Sequence, residues 1–255
     1  DGTALLDEGV HIFDGTIHHP TIEGPKMYKR NGYYYIFAPA GGVKPGWQTV
    51  LRSKDVYGPY EDRIVLHQGE TGINGPHQGG WVDTETGEHW FIHFQDRDSY
   101  GRITHLQPLH WANDWPYIGE DNNGDGIGEP VQRFKKPVKS VCPVQVPDTS
   151  DDFDNDMLGL QWQWNANPQS CWYSLTQRKG FLRLYAGKWS NTENPLLYQT
   201  PNLLTQLFQG PAFTVTTRLE FFPKAVGDMA GLTVFGDDYA AVVIERTTAG
   251  SMVAF

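Results

Sequence analysis

Nowhere in these 255 residues do apolar side chains recur with the three-four spacing of a helical face over a window of helical length. What recurs is shorter. Tyr33-Tyr34-Tyr35-Ile36-Phe37, Val50-Leu51-Arg52-Ser53, Trp81-Val82-Asp83-Thr84 and Trp90-Phe91-Ile92-His93-Phe94 are apolar or alternating runs, each closed within a few residues by Gly, Pro, Asn or Asp. These are strand patterns. Nine Trp, twelve Tyr and thirteen Phe beside 28 Gly agree with them, since flat side chains pack on pleated surfaces and Gly serves the turns. Arg30-Asn31-Gly32 and Thr84-Glu85-Thr86-Gly87 fit hairpin connections, the first with the Asn-Gly pair that accepts positive φ. The expectation is an all-β chain whose first half is built from consecutive hairpins.

All nine histidines fall between His11 and His110, and past Lys135-Lys136-Pro137 the Pro143 and Pro147 spacing resembles a linker. A boundary at about residue 140 is expected, giving domains 1–140 and 141–255. In the second, Gly180-Phe181-Leu182-Arg183-Leu184-Tyr185, the alternating run from Phe213 to Phe221, and Tyr239-Ala240-Ala241-Val242-Val243-Ile244 predict longer strands of a two-sheet sandwich. Ser251 to Phe255 begins a returning strand. Both ends read as unfinished, so the chain is expected to be the middle of a longer protein. Cys142 and Cys171 stand in no metal or redox spacing, and two small buried thiols are expected.

Thirty acidic against twenty basic residues leave a formal charge of −10, which disfavours phosphate backbones and anionic lipid surfaces. Nucleic acid and membrane are therefore not expected partners. No apolar stretch reaches spanning length, and the chain carries no address of its own.

Several residues can carry chemistry. Glu23, in Thr21-Ile22-Glu23-Gly24-Pro25-Lys26, precedes a predicted strand at Met27-Tyr28-Lys29. A carboxyl group fixed there by Gly and Pro could donate a proton near neutrality if burial or a second carboxylate raised its pKa. His77, in Gly75-Pro76-His77-Gln78-Gly79-Gly80, could bind a metal, orient a water or hydrogen-bond a sugar, or simply satisfy loop carbonyls. His89 and His93 have helical zinc spacing, but on a strand they would stand more than about 10 Å apart, so zinc is rejected. Asp121-Asn122-Asn123-Gly124-Asp125-Gly126 opens like a calcium loop, yet Gln132 replaces the bidentate Glu, and an ordinary Gly-rich loop is expected. Trp47, Trp111, Trp115, Trp162 and Trp164 could stack on sugars, although burial is the commoner fate.

The strings Glu23-Gly24-Pro25-Lys26-Met27-Tyr28-Lys29, Gly58-Pro59-Tyr60-Glu61, Gly75-Pro76-His77-Gln78-Gly79, Gly101-Arg102-Ile103-Thr104-His105-Leu106-Gln107-Pro108 and Asp114-Trp115-Pro116 resemble glycoside hydrolase family 43 in order and spacing. The stretches from Leu158 to Asn165 and from Asp228 to Leu232 resemble the β-sandwich that follows the propeller in xylosidase-type members. The resemblance implies the C-terminal blades of a five-bladed β-propeller followed by a partial concanavalin A-like β-sandwich. It implies Glu23 as general acid, His77 as the histidine associated with a hydrated calcium ion, and Arg102 as a pocket residue near the carboxylates. Trp47 is a candidate sugar-stacking residue.

The expected reaction is inverting hydrolysis that removes terminal xylose or arabinose from plant-wall polysaccharides or oligosaccharides. No cofactor is required, and calcium would be structural. No match to the family's base Asp or its pKa-modulating Asp precedes Glu23, so the chain alone is expected to be inactive. An extracellular or periplasmic parent is expected, with an intracellular one as the alternative. The alternative is a non-catalytic, lectin-like carbohydrate-binding sandwich.

Overall fold

The computed structural model describes residues 2–5, 7–137, 143–187, 196–236 and 238–254. Contacts divide the chain into two compact units, Asp1–Val141 and Cys142–Phe255. The expected boundary near residue 140 and Cys142 itself lie outside the described residues.

The first unit is two four-stranded antiparallel sheets, each ordered as a meander. One contains β1 (Lys26–Arg30), β2 (Tyr33–Ala40), β3 (Trp47–Ser53) and β4 (Glu61–Leu66). The other contains β5 (His77–Asp83), β6 (His89–Asp96), β7 (Arg102–Ala112) and β8 (Trp115–Ile118). The hairpin between β1 and β2 closes on Asn31 (φ 49°) and Gly32 (φ 78°), and Arg30 pairs with Tyr33. Two consecutive positive φ values match the right-handed twist of the flanking strands, which is why Asn-Gly occupies this turn.

β2 explains how the sheets stack. Its residues alternate between two buried faces: Tyr35 and Phe37 join Val50, Phe91, Leu109, Trp115 and Ile118 in one core, while Ile36 and Ala38 join Leu51 in another. The first core lies between the sheets, where the Phe37 and Phe91 rings stack at 6.1 Å and Tyr35 meets Trp111 edge-on at 4.9 Å. Each large side chain buried there contributes roughly 1.5–3 kcal/mol. The second face is covered by Ile12, Phe13, Ile22 and Tyr60, so the segment preceding β1 is packed onto the sheet. Two meander sheets stacked face to face are consecutive blades of a propeller.

The expected core fate holds for Trp115, which is 2% exposed, and Trp111 packs against the same cluster. In the second unit Trp164 packs on Trp172 and Tyr173, and Trp162 donates its indole N–H to Asp151.

The second unit also takes its regular structure from strands, in smaller pieces, with a 3-10 turn at Leu197–Gln199. β9 (Gln163–Trp164) pairs with β12 (Leu204–Thr205), β10 (Tyr173–Ser174) with β11 (Arg183–Leu184), and β13 (Met229–Val234), β14 (Ala240–Thr247) and β15 (Gly250–Ala254) form a meander. Three expectations need correction. The run from Phe213 to Phe221 forms no strand: alternation marks faces, but a strand exists only through a main-chain ladder, and none is formed here among the described residues. The 180–185 strand shrinks to Arg183–Leu184. Cys171 is exposed, not buried, and its thiol lies 3.8 Å from the Gln169 side-chain oxygen Oε1.

Several polar groups are buried inside the first unit, His93 among them. His93 is 2% exposed, stacked between Phe91 and His105. Its Nδ1–H donates to the Phe94 carbonyl, and Nε2 accepts from the Gln107 amide at 3.2 Å, a pattern only the neutral ring can make. Gln107 in turn accepts the Val131 N–H at 2.7 Å. Burial, helped by neighbouring His105, pushes the His93 pKa down from 6.5 to about 4, against the opposing pull of the Phe94 carbonyl.

An unfolded chain therefore takes up a proton that the folded chain refuses. The His93 contribution is complete above the unfolded value of about 6.5 and disappears as pH falls through about 4, a span of roughly 3 kcal/mol. Urea unfolding between pH 7.5 and 4.5 is expected to show this loss, and His93→Gln is expected to flatten the slope. An equal slope in the variant would remove His93 as its source.

Candidate active site

Glu23 is placed by its own backbone. Its N–H donates to the Pro39 carbonyl at 3.0 Å, and Gly41 N–H reaches back to Pro20, tying residues 20–23 to the end of β2. His19 anchors the same segment from beneath. It is 3% exposed, donates from Nε2 to Asp62 at 2.8 Å, and accepts at Nδ1 from the Thr49 hydroxyl and the Trp47 indole. With that nitrogen serving as acceptor, the tautomer carries its proton on Nε2.

The carboxylate meets the second sheet at the first residue of β5. His77 is fully buried, and its Nε2 lies 2.6 Å from Glu23 Oε1, a charge-assisted distance. The Phe94 ring supports the imidazole edge-on at 5.7 Å. The same ring has the Arg102 guanidinium over it at 4.7 Å. Arg102, the first residue of β7, pairs with Asp96 at the end of β6, and its charge acts on Glu23. Glu23, His77 and Arg102, far apart in sequence, thus converge at the strand ends where β1, β5 and β7 begin.

The electrostatics run opposite to one expectation. The Glu23 side chain is 51% exposed, and the hydrogen bond from His77 and the nearby Gln78 amide, with the His77 and Arg102 charges, hold its carboxyl below the usual glutamate range despite partial desolvation. Burial or a second carboxylate was expected to raise it. Instead its polar neighbours are donors and cations, which favour the ionised form.

Trp47 stands apart from this cluster. Its indole packs on Gly41, whose missing Cβ makes the space, and its N–H is given to His19. Gln78 stands in the sequence only as one member of a motif, yet its amide packs against Gly24, the residue after Glu23. The signal was local: Gln78 has φ 49°, a left-handed conformation that side chains other than Gly, Asn and Asp seldom adopt.

Calcium takes six to eight oxygen ligands. His77 offers no oxygen, Nε2 is engaged by Glu23, and Nδ1 is buried without a partner. Among the described residues no group of three or more His, Cys, Asp or Glu could hold a metal. The described residues do not build a calcium cage at His77, although Nδ1 could bond one water. At the Gly-rich loop, Asp121 accepts the Gly124 and Gly126 N–H groups, so its carboxylate closes the turn. His89, in turn, accepts the Trp81 indole N–H at 3.2 Å.

Comparison with known proteins places both units. The model of glycosyl hydrolases family 43 matches residues 1–116, and that of the beta xylosidase C-terminal concanavalin A-like domain matches residues 150–254. A putative beta-xylosidase of Xylanibacter ruminicola is 48% identical over 95% of this chain, and a non-reducing end alpha-L-arabinofuranosidase of Bacteroides ovatus is 31% identical over 88%. The crystal structure of a GH43 protein from Bacillus licheniformis superposes over 96% of the chain with a TM-score of 0.75 at 29% identity. The chain spans 42%, 44% and 48% of these three proteins.

Gly24, at φ 53°, lies directly under the Gln78 amide, and a Cβ there would collide with its Oε1. Gly24→Ala is expected to cost about 1–3 kcal/mol in a urea unfolding measurement, through backbone strain and the displaced amide. A variant of unchanged midpoint would show that this contact carries no constraint.

Proposed function

Because the chain belongs to glycosyl hydrolases family 43, we propose that it carries the proton-donating part of an inverting glycosidase that releases terminal xylose or arabinose. The observation that carries the reading is the Glu23 carboxyl gripped by a buried imidazole at 2.6 Å, with Arg102 beside it. The names of the relatives, beta-xylosidase and alpha-L-arabinofuranosidase, support the sugar class.

In this reading Glu23 gives its proton to the glycosidic oxygen as the bond from that oxygen to the anomeric carbon breaks. Water attacks the same carbon from the opposite face, and a carboxylate base takes the water proton. The sugar leaves with a new hydroxyl and the departing group as an alcohol. The acid and base must stand about 6.5–9.5 Å apart to admit the water. His77 occupies Oε1, which leaves the other carboxyl oxygen for the substrate. Arg102 holds a sugar hydroxyl or a neighbouring carboxylate. Inverting hydrolysis of this kind needs no metal-generated hydroxide.

An acid must be protonated before it can act, and the donors around Glu23 work against that. The remainder of the enzyme is proposed to supply the opposing effect: a nearby carboxylate and closure of the pocket both raise a carboxyl pKa. The base and the modulating Asp are assigned to that remainder, not to this chain.

In an enzyme-length protein containing this chain, Glu23→Gln is expected to lower turnover of xylobiose or an aryl xyloside by about 10²–10⁴-fold with an unchanged circular dichroism spectrum. Full activity would end the acid assignment. Residues 1–255 alone are expected to leave aryl xylosides and arabinofuranosides intact over long incubation, and measurable turnover would refute a missing base.

A further inference from the structure

The geometry points to Gln78 as a positioning residue for the acid: a bulge in β5 turns its amide onto the Glu23-Gly24 turn, beside the carboxyl group that His77 holds. The inference rests on Glu23 being the acid, as proposed above.

Neighbouring residues of a regular strand point to opposite faces of the sheet. His77 and Gln78 nonetheless meet the same turn, His77 at the Glu23 carboxylate and the Gln78 amide against the α-carbon of Gly24. The ladder shows how this is achieved. His77 pairs with Phe94 and Gly80 with Ile92, so Gln78 and Gly79 together oppose the single residue His93. An extra residue of this kind bends a strand and re-aims its side chains. Gln78 takes the strain, with its backbone at φ 49°. Gly79 permits it, because a Cβ there would collide with the Phe91 ring. Gly24 completes the fit by leaving room for the amide on its α-carbon.

Glycine would suit that backbone better than glutamine, so the side chain must contribute something else. Non-glycine residues in sparsely populated conformations persist where the surroundings impose them, and they cluster at functional sites. Here the contribution is direction. One donor leaves a carboxyl group free to turn about the bond to its chain, and an amide wedged against the next α-carbon narrows the positions open to that chain. A proton held in place matters most when the departing group is a poor one.

The test therefore varies the leaving group. Gln78→Gly and Glu23→Gln are made in an enzyme-length protein containing this chain. Each is assayed on aryl β-xylosides and α-L-arabinofuranosides, with leaving groups from dinitrophenol to phenol. Because glycine prefers the φ at position 78, the Tm of Gln78→Gly is expected to be unchanged or raised. Its kcat on the phenyl glycosides is expected to fall roughly ten- to a hundredfold, while dinitrophenyl glycosides are turned over at nearly the parental rate. A loss equal across the series, or no loss on the phenyl glycosides, overturns the positioning role while Glu23→Gln retains its own leaving-group dependence. If Glu23→Gln shows no such dependence, the acid assignment fails and this inference fails with it.

Discussion

The first unit depends on how closely its two sheets approach. Phe37 and Phe91 stack at 6.1 Å, and Gly79 lies flat on the back of Phe91, so no side chain props the second sheet away. Interiors of this density tolerate little displacement. The contact fixes where β5 starts relative to β2. That in turn decides whether an imidazole on one sheet can reach a carboxylate tied to the other. The hydrogen bond between His77 and Glu23 is thus a consequence of aromatic packing between the strands.

A histidine and a glutamate show how different surroundings set a proton. His93 lies wholly between aromatic rings and is kept neutral by burial and by an amide that donates to it. Glu23 is half open to water and is surrounded by donors, so its carboxyl stays charged. His77 links the two regimes, with one nitrogen on the carboxylate and the other enclosed without a partner. Family 43 membership and the propeller and sandwich architecture come from both units together, whereas the chemistry proposed here belongs to the first.

Much of this was legible in the sequence for local reasons. The Asn31-Gly32 turn and the apolar run of β2 require nothing beyond their own residues to be read, and both are found. Motif order located Glu23, His77 and Arg102, which converge. What stayed hidden depends on distant partners. The run from Phe213 to Phe221 has the alternation of a strand but forms no main-chain ladder among the described residues. The depressed carboxyl at Glu23 arises from residues 54 and more positions away, and Gln78 could be recognised only once its left-handed backbone was known.

The unpaired residue in β5 also bears on how such a site can be lost. Removing one residue between His77 and Gly80 would restore an even ladder opposite β6, with every main-chain bond of the sheet still available. His77 would keep its place opposite Phe94, but the single residue left before Gly80 would point to the opposite face, because side chains alternate with a period of two. The amide would then leave the turn that carries the carboxylate while the blade kept its outline. A descendant could retain this architecture and loosen its chemistry through a single codon, and shape alone would not reveal the difference.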